Sequence, residues 1–278
     1  MSAPLVVVER SRILVYRNTI TSGKQVGAPS ALATPGGLAM TDDATLVVVE
    51  QAAGRVAVLD LLGGGWTTSF GPGAGPDQLD RPSDIAVDGK GRWVIADRGN
   101  RRIVRVEPDG SDWQHFGTPG TGVGQFVDPL TIAVDGNDRI VVADPGANRV
   151  VRLDDIDGSG WSTVATPPPP DPALSALVTG VAADGDQWAV ADVGARTVYL
   201  FDLADAILGT TGLEPTMLVP TYVDLAGDSV VVADPALNEV RRFRLEAGRL
   251  MPELWLRGSD PSLPAPAFEQ LAGVSGGF

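Results

Sequence analysis

The chain has 278 residues, a formal net charge of −14, 34 glycines, 22 prolines and no cysteine. The missing cysteines exclude disulfides and thiolate metal sites, and the acidic balance opposes general binding to phosphate backbones. No stretch reaches the ~20 apolar residues that a membrane-spanning helix needs, so neither a nucleic-acid partner nor membrane insertion is expected.

In chain order, one phrase recurs. It reads VVVERSRILV from Val6, VVVEQAAGRVA from Val47, VIADRGNRRIV from Val94, VVADPGANRVV from Val141, AVADVGARTVY from Ala189 and VVADPALNEVR from Val231. Its acidic residue marks the phase: Glu9, Glu50, Asp97, Asp144, Asp192 and Asp234, spaced by 41, 47, 47, 48 and 42 residues. The four-residue apolar run before Glu9 is too short for a secretory leader, which makes the cytoplasm the default expectation.

Each period holds four short apolar segments separated by glycine-containing turns. The copy from Pro82 gives PSDIAVD, RWVIAD, RRIVRVE and SDWQHFG; that from Pro129 gives PLTIAVD, RIVVAD, NRVVRLD and GWSTVA. Asp-Gly pairs at 88–89, 109–110, 135–136 and 157–158 suit tight antiparallel hairpins. Four antiparallel strands per 40–50 residues, repeated six times, predict an all-β, six-bladed β-propeller filling residues 1–278 as a single domain. Trp66, Trp113, Trp161 and Trp255 fall on the outermost strands, where they pack the blade edge. Near the C-terminus, FEQLAGVSG (268–276) aligns with FVDPLTIAV (126–134), the first-strand segment that the N-terminal copy lacks. The C-terminal strand is therefore expected to join the N-terminal blade and close the ring.

The order P-x-x-I-A-V-D, V-A-D-x-G-N-x-R-I, hairpin and F-G-x-x-G-x-G-x-F, carried almost completely by Pro82–Gly117 and Gly124–Phe126, resembles the NHL repeat. The resemblance implies a six-bladed NHL-type propeller. Some similar propellers are enzymes, including a zinc-dependent amidating lyase built on several histidines. This chain has one histidine, His115, so that metal site is excluded and no cofactor is expected.

Physical reasons for the phrase can be given. The Asp is expected to accept hydrogen bonds from turn amides. Gly99, Gly146 and Gly194 are expected to adopt positive φ. Arg55, Arg102 and Arg149, five residues after their acidic markers, are expected to pair with them. Asp97, Asp144, Asp192, Asp234, Arg102 and Arg149 therefore read as structural staples, since one constellation reused along a chain is scaffold rather than catalyst. The arginines at 98, 101, 102, 105, 149 and 152 read as an exposed ion-pair network.

The aligned first-strand positions facing the expected channel carry Gly37, Asp84, Thr131, Gly180, Tyr222 and Gly273, then Ala39, Ala86, Ala133, Ala182, Asp224 and Ser275. Only Asp84, Tyr222 and Asp224 carry proton chemistry, and two carboxylates are few for a hard cation. The segment Asp155–Gly160 matches a hairpin turn, because a calcium-loop register would place Leu153 and Val164 at ligand positions.

The most variable segments join one blade to the next: 71–81, 166–177 and 258–267. Variable loops over a rigid scaffold are where binding concentrates. Pro76, Gln78, Pro167, Pro170, Asp171 and Asp260 are the candidate binding-face residues. The functional expectation is a non-enzymatic scaffold docking a protein partner through these loops. Similar propellers are associated with phage-tail-like particles, so a subunit of a larger assembly is a specific version. The alternative is a small-molecule lyase or hydrolase at the channel mouth.

Overall fold

A computed structural model describes residues 5–9, 12–16, 23–26, 32, 34–41, 45–60, 65–167, 173–211, 217, 219–226, 229–234, 236–237, 239–257 and 271–276. Its contacts divide the chain into two compact units, residues 1–31 with 166–278, and residues 32–165.

The 32–165 unit holds three four-stranded antiparallel sheets, called second, third and fourth after their place in the chain. The second sheet runs Pro35–Met40, Thr45–Glu50, Arg55–Asp60 and Trp66–Ser69. The third runs Asp84–Val87, Trp93–Asp97, Arg102–Val106 and Gln114–Phe116. The fourth runs Thr131–Val134, Ile140–Asp144, Arg149–Leu153 and Ser162–Val164.

Why these runs are strands follows from what covers them. Along Trp93–Asp97 every residue is buried. Trp93 and Ile95 pack with Val47, Val49 and Val56 of the second sheet, whereas Val94 and Ala96 pack with Ile132, Ile140 and Val142 of the fourth. Alternate side chains leave opposite faces of a strand, so a strand covered on both faces carries apolar residues at successive positions, as residues 93–96 do before the buried Asp97. The near-continuous Val/Ile/Ala runs express this burial. Phe70 packs edge-on against Trp93 and Trp113, and Trp161 packs against Phe116 and Phe126. Trp113 and Trp161 each sit one residue before the fourth strand of their sheet.

The other unit holds the first, fifth and sixth sheets. In the first, strand Leu271–Gly276 pairs antiparallel with Leu5–Glu9, which continues to Arg12–Tyr16 and Gly23–Val26. The expected union of the chain's two ends in one sheet is thus present. The fifth sheet comprises Val178–Asp184, Gln187–Asp192, Thr197–Asp202 and Ile207–Thr210. The sixth comprises Tyr222–Ala226, Ser229–Asp234, Glu239–Glu246 and Arg249–Arg257. These two sheets share a core that includes Ala189, Ala191, Val198, Leu200, Val223, Leu225, Val232 and Phe243. One parallel bridge, Thr210 to Arg249, joins their outer strands.

Candidate functional site

In an antiparallel sheet, the turn after the second strand and the connection leading into the first strand lie at the same end. In the 32–165 unit this end carries two compact loops, 71–79 and 118–126. Each closes on itself by a short parallel pairing, Gly71–Pro72 with Gln78–Leu79 and Thr118–Pro119 with Gln125–Phe126. They belong to the class of compact surface loops whose ends meet.

A glutamine braces each loop from inside. Gln78 Oε1 accepts the Gly75 N–H at 2.9 Å, and Gln125 Oε1 accepts the Gly122 N–H at 2.9 Å. A Cβ at Gly73 would clash with Gln78 and one at Gly120 with Gln125, which explains the glycines of the G-x-G-x-x-Q pattern. The loop tips, Pro76 and Val123, point into water; Val123 is 79% exposed.

An arginine braces each loop from below. Arg102 donates to the carbonyls of Ala74 at 3.0 Å and Gln78 at 3.0 Å, while its Nε meets Asp97 Oδ2 at 2.7 Å. Arg149 donates to the carbonyls of Thr121 at 2.7 Å and Gln125 at 2.5 Å, and pairs with Asp144 Oδ2 at 3.1 Å. Arg149 also lies 5.5 Å from the centre of the Trp161 ring. Asn100 adds a bond to the Gly73 carbonyl and another to Asp97. Arg98 bridges to Asp128 in the next connection. Arg102 and Arg105 are buried rather than exposed as expected for these arginines: Arg102 donates to the carbonyls of the loop above it, and Arg105 to the side chains of Asp155 and Gln114.

Four of the acidic markers accept main-chain amides from well upstream rather than mainly from their own turns. Asp97 accepts the Asp80 amide, Asp144 the Val127 and Asp128 amides, Asp192 the Leu177 amide and Asp234 the Val219 amide. Each partner lies 15–17 residues upstream, in the connection entering the same sheet. Turn amides add to this for Asp192 (Ala195) and Asp234 (Ala236 and Leu237). Burial pushes the Asp97 carboxyl above the ordinary carboxylate range, against the pull of Asn100, the Asp80 amide and Arg102.

The turn glycines need correcting. Gly99, Gly146 and Gly194 do not have positive φ; Arg101, Asn148 and Arg196 carry it, at 53°, 48° and 54°. A Cβ on Gly99 would overlap Asp80, and one on Gly194 would overlap the Ser175 carbonyl. On Gly146 it would lie 2.6 Å from Val127 Cγ1. These glycines let the upstream connection lie directly on the turn.

Of the channel-mouth candidates, Asp84 lies in the 32–165 unit and is half-buried. Its Oδ1 accepts the Ile85 N–H and its Oδ2 the Ile132 N–H, both at 2.9 Å, and its carboxylate occupies the space a side chain at Gly37 would need. It therefore ties the first strands of the third and fourth sheets together and packs against that of the second. Tyr222 and Asp224 lie in the other unit, half-buried on one face of the strand whose alternate residues, Val223 and Leu225, enter the core. Among the described residues no group of three His, Cys, Asp or Glu is placed to hold a metal ion, and no helix is long and apolar enough to cross a membrane. Pro167 is half-buried, and Pro170, Asp171 and Asp260 lie outside the described residues.

No protein-family model matches the chain, and no curated protein matches it in sequence. Solved structures do. A chain of a nidogen/laminin complex superposes with a TM-score of 0.76 at 20% identity, covering 98% of this chain and 97% of that one. Virginiamycin B lyase from Staphylococcus aureus gives 0.63 at 15% identity, covering 94% and 86%. A streptogramin B lyase gives 0.62 at 15%, covering 90% and 82%. These are β-propeller proteins, and the likeness shows that this chain has an all-β fold of the β-propeller type.

Proposed function

We propose that the chain is a non-enzymatic interaction scaffold: a single-domain, NHL-type propeller of six blades in a closed ring, docking a protein partner through its loop-bearing end. The observation that carries this reading is the bracing of loops 71–79 and 118–126. Internal glutamines and underlying arginines hold the loops whose apolar tips, Pro76 and Val123, are exposed to water. Loops ordered before binding lose less entropy on association. The likeness to a chain of a nidogen/laminin complex supports the protein-binding class. Under the same proposal the staples Asp97, Asp144, Asp192, Asp234, Arg102 and Arg149 hold the loops rather than perform chemistry. The chain works in the cytoplasm or within a multi-subunit, phage-tail-like particle.

A photo-crosslinking residue at Val123, compared with one at Lys90 on the opposite hairpin end, tests this in the source cells. A discrete product from position 123 and none from 90 is expected. Equal labelling from both, or labelling from neither, overturns the reading.

A second reading rests on the likeness to two lyases and on Tyr222 and Asp224, which share one strand face. It makes the chain a small-molecule lyase or hydrolase acting at the channel mouth. Asp84 weighs against it, because both of its carboxylate oxygens already accept main-chain amides. Turnover of a streptogramin-type lactone that is lost in Asp224→Asn would establish it.

A further inference from the structure

Three copies of the repeat match their acidic marker with an arginine: Glu50 with Arg55, Asp97 with Arg102 and Asp144 with Arg149. The fifth copy does not. Opposite Asp192 stands Thr197. Asp192 is fully buried, and its Oδ1 accepts the Leu177 and Ala195 amides at 2.7 and 2.8 Å. Its Oδ2, the oxygen that meets arginine in the third and fourth sheets, is buried with no hydrogen-bond partner.

A second substitution accompanies the first. Two residues beyond the arginine position, the third and fourth sheets have Val104 and Val151, whereas the fifth has Tyr199. Tyr199 is 3% exposed, and its hydroxyl is the other buried group of this sheet without a partner. The register puts Thr197 directly across from Asp192 and Tyr199 on the diagonal of the same face, within reach of a long aromatic side chain. Arg196, adjacent in sequence, is exposed.

We propose that a monovalent metal cation of the sodium or potassium class binds between Asp192 Oδ2 and Tyr199 Oη, supplying the positive charge that arginine supplies in the second, third and fourth copies. A buried carboxylate without a cation is costly, and one carboxylate balances one unit of charge. A divalent ion wants more charged oxygens than the described residues bring together. The phenol hydroxyl offers a buried oxygen that has no other partner. A bridging water would satisfy both atoms' hydrogen bonding but would leave the charge unopposed.

The test compares thermal unfolding of the whole protein in potassium, sodium and choline chloride at equal ionic strength. The midpoint is expected to be several degrees higher in potassium or sodium chloride than in choline chloride, saturably with concentration. Tyr199→Phe is expected to raise the half-saturating concentration about tenfold, and Thr197→Arg to remove the dependence on the cation's identity. A midpoint equal in the three salts overturns the proposal. Crystals grown in rubidium chloride give a readout independent of variant folding. An anomalous peak beside Asp192 Oδ2 supports the site, and an ordered water or a direct Tyr199–Asp192 contact without anomalous signal overturns it.

Discussion

Arg102 Nε lies 2.7 Å from Asp97 Oδ2, and the same guanidinium donates to three carbonyls of the loop above it, those of Ala74, Gly75 and Gln78. One side chain thus neutralises a fully buried carboxylate and holds a surface loop. Arg102→Ala leaves Asp97 buried without its cation, and breaking such a pair costs about 3–5 kcal/mol. Arg102→Lys keeps the charge but not the planar fork that meets the carboxylate and the carbonyls together, so an intermediate loss is expected. Urea unfolding of the two variants checks the order; equal stability of Arg102→Ala and the parent contradicts it.

The glutamine braces make a local prediction. In Gln78→Ala the Gly75 amide loses its acceptor, and in Gln125→Ala the Gly122 amide does. A net hydrogen bond contributes about 1 kcal/mol, so amide exchange at the affected glycine should accelerate about fivefold, with core amides such as Ile95 unchanged. Acceleration spread over the whole 32–165 unit would mean that the glutamine supports the fold rather than the loop.

Glycine substitutions separate space from backbone conformation. Gly99→Ala needs no change of φ but drives a methyl group into Asp80, and overpacking of this kind costs about 1–3 kcal/mol. Gly71 has ordinary φ and no atom within 4 Å of a built Cβ, so Gly71→Ala should stay within about 0.5 kcal/mol of the parent. If the two variants unfold alike, the close approach of the Asp80 connection is not what fixes glycine at position 99.

Two carboxyls should titrate in opposite senses. Asp97 is raised, chiefly by burial, so the native state holds its proton more tightly than the unfolded chain does. Its contribution to stability is therefore complete below the ordinary carboxylate range and is lost as pH rises through its raised folded value. For Asp155, burial acts upward but is outweighed by the Ile156 amide and Arg105, and the net shift is downward. Its contribution is present above the ordinary range and is lost as pH falls through the lowered value. Carboxyl-carbon NMR titration reads both directly, and Asp97 titrating below Asp155 would reverse the assignment.

Fold and site were not equally legible in the chain. The second strands could be read from runs such as Val94–Ala96 because both faces are covered, and that leaves a mark on every residue. The arginine pairs were legible because donor and acceptor lie five residues apart on facing strands, as Asp97 and Arg102 do. The amides that Asp97 and Asp144 accept were not, because a main-chain N–H carries no residue signature and lies 16–17 residues away. Gly99 misled for a related reason. A glycine marks either a positive φ or a close neighbour, and the neighbour, Asp80, belongs to another part of the chain. Asp84 looked like spare acid on a channel-facing position, but its oxygens are held by Ile85 and by Ile132, a residue of the next repeat. Whether a carboxylate is free depends on contacts that only the fold creates.

The pairing of the chain's two ends yields the last prediction. Strand Leu5–Glu9 has Arg12–Tyr16 on one side and Leu271–Gly276 on the other. Removing residues 271–278 would strip that second side and leave a row of unpaired N–H and C=O groups along an apolar strand. Such edges pair with other copies of the chain. The truncated protein is therefore expected to melt lower and to associate with rising concentration. A peptide of residues 268–278 supplied in excess should restore both properties by taking up the same antiparallel register, Leu5 against Gly276 and Val7 against Val274. Spin labels on the peptide and on the first sheet would read that register. An unchanged melting temperature in the truncated chain would mean that the end-to-end pairing contributes nothing to stability.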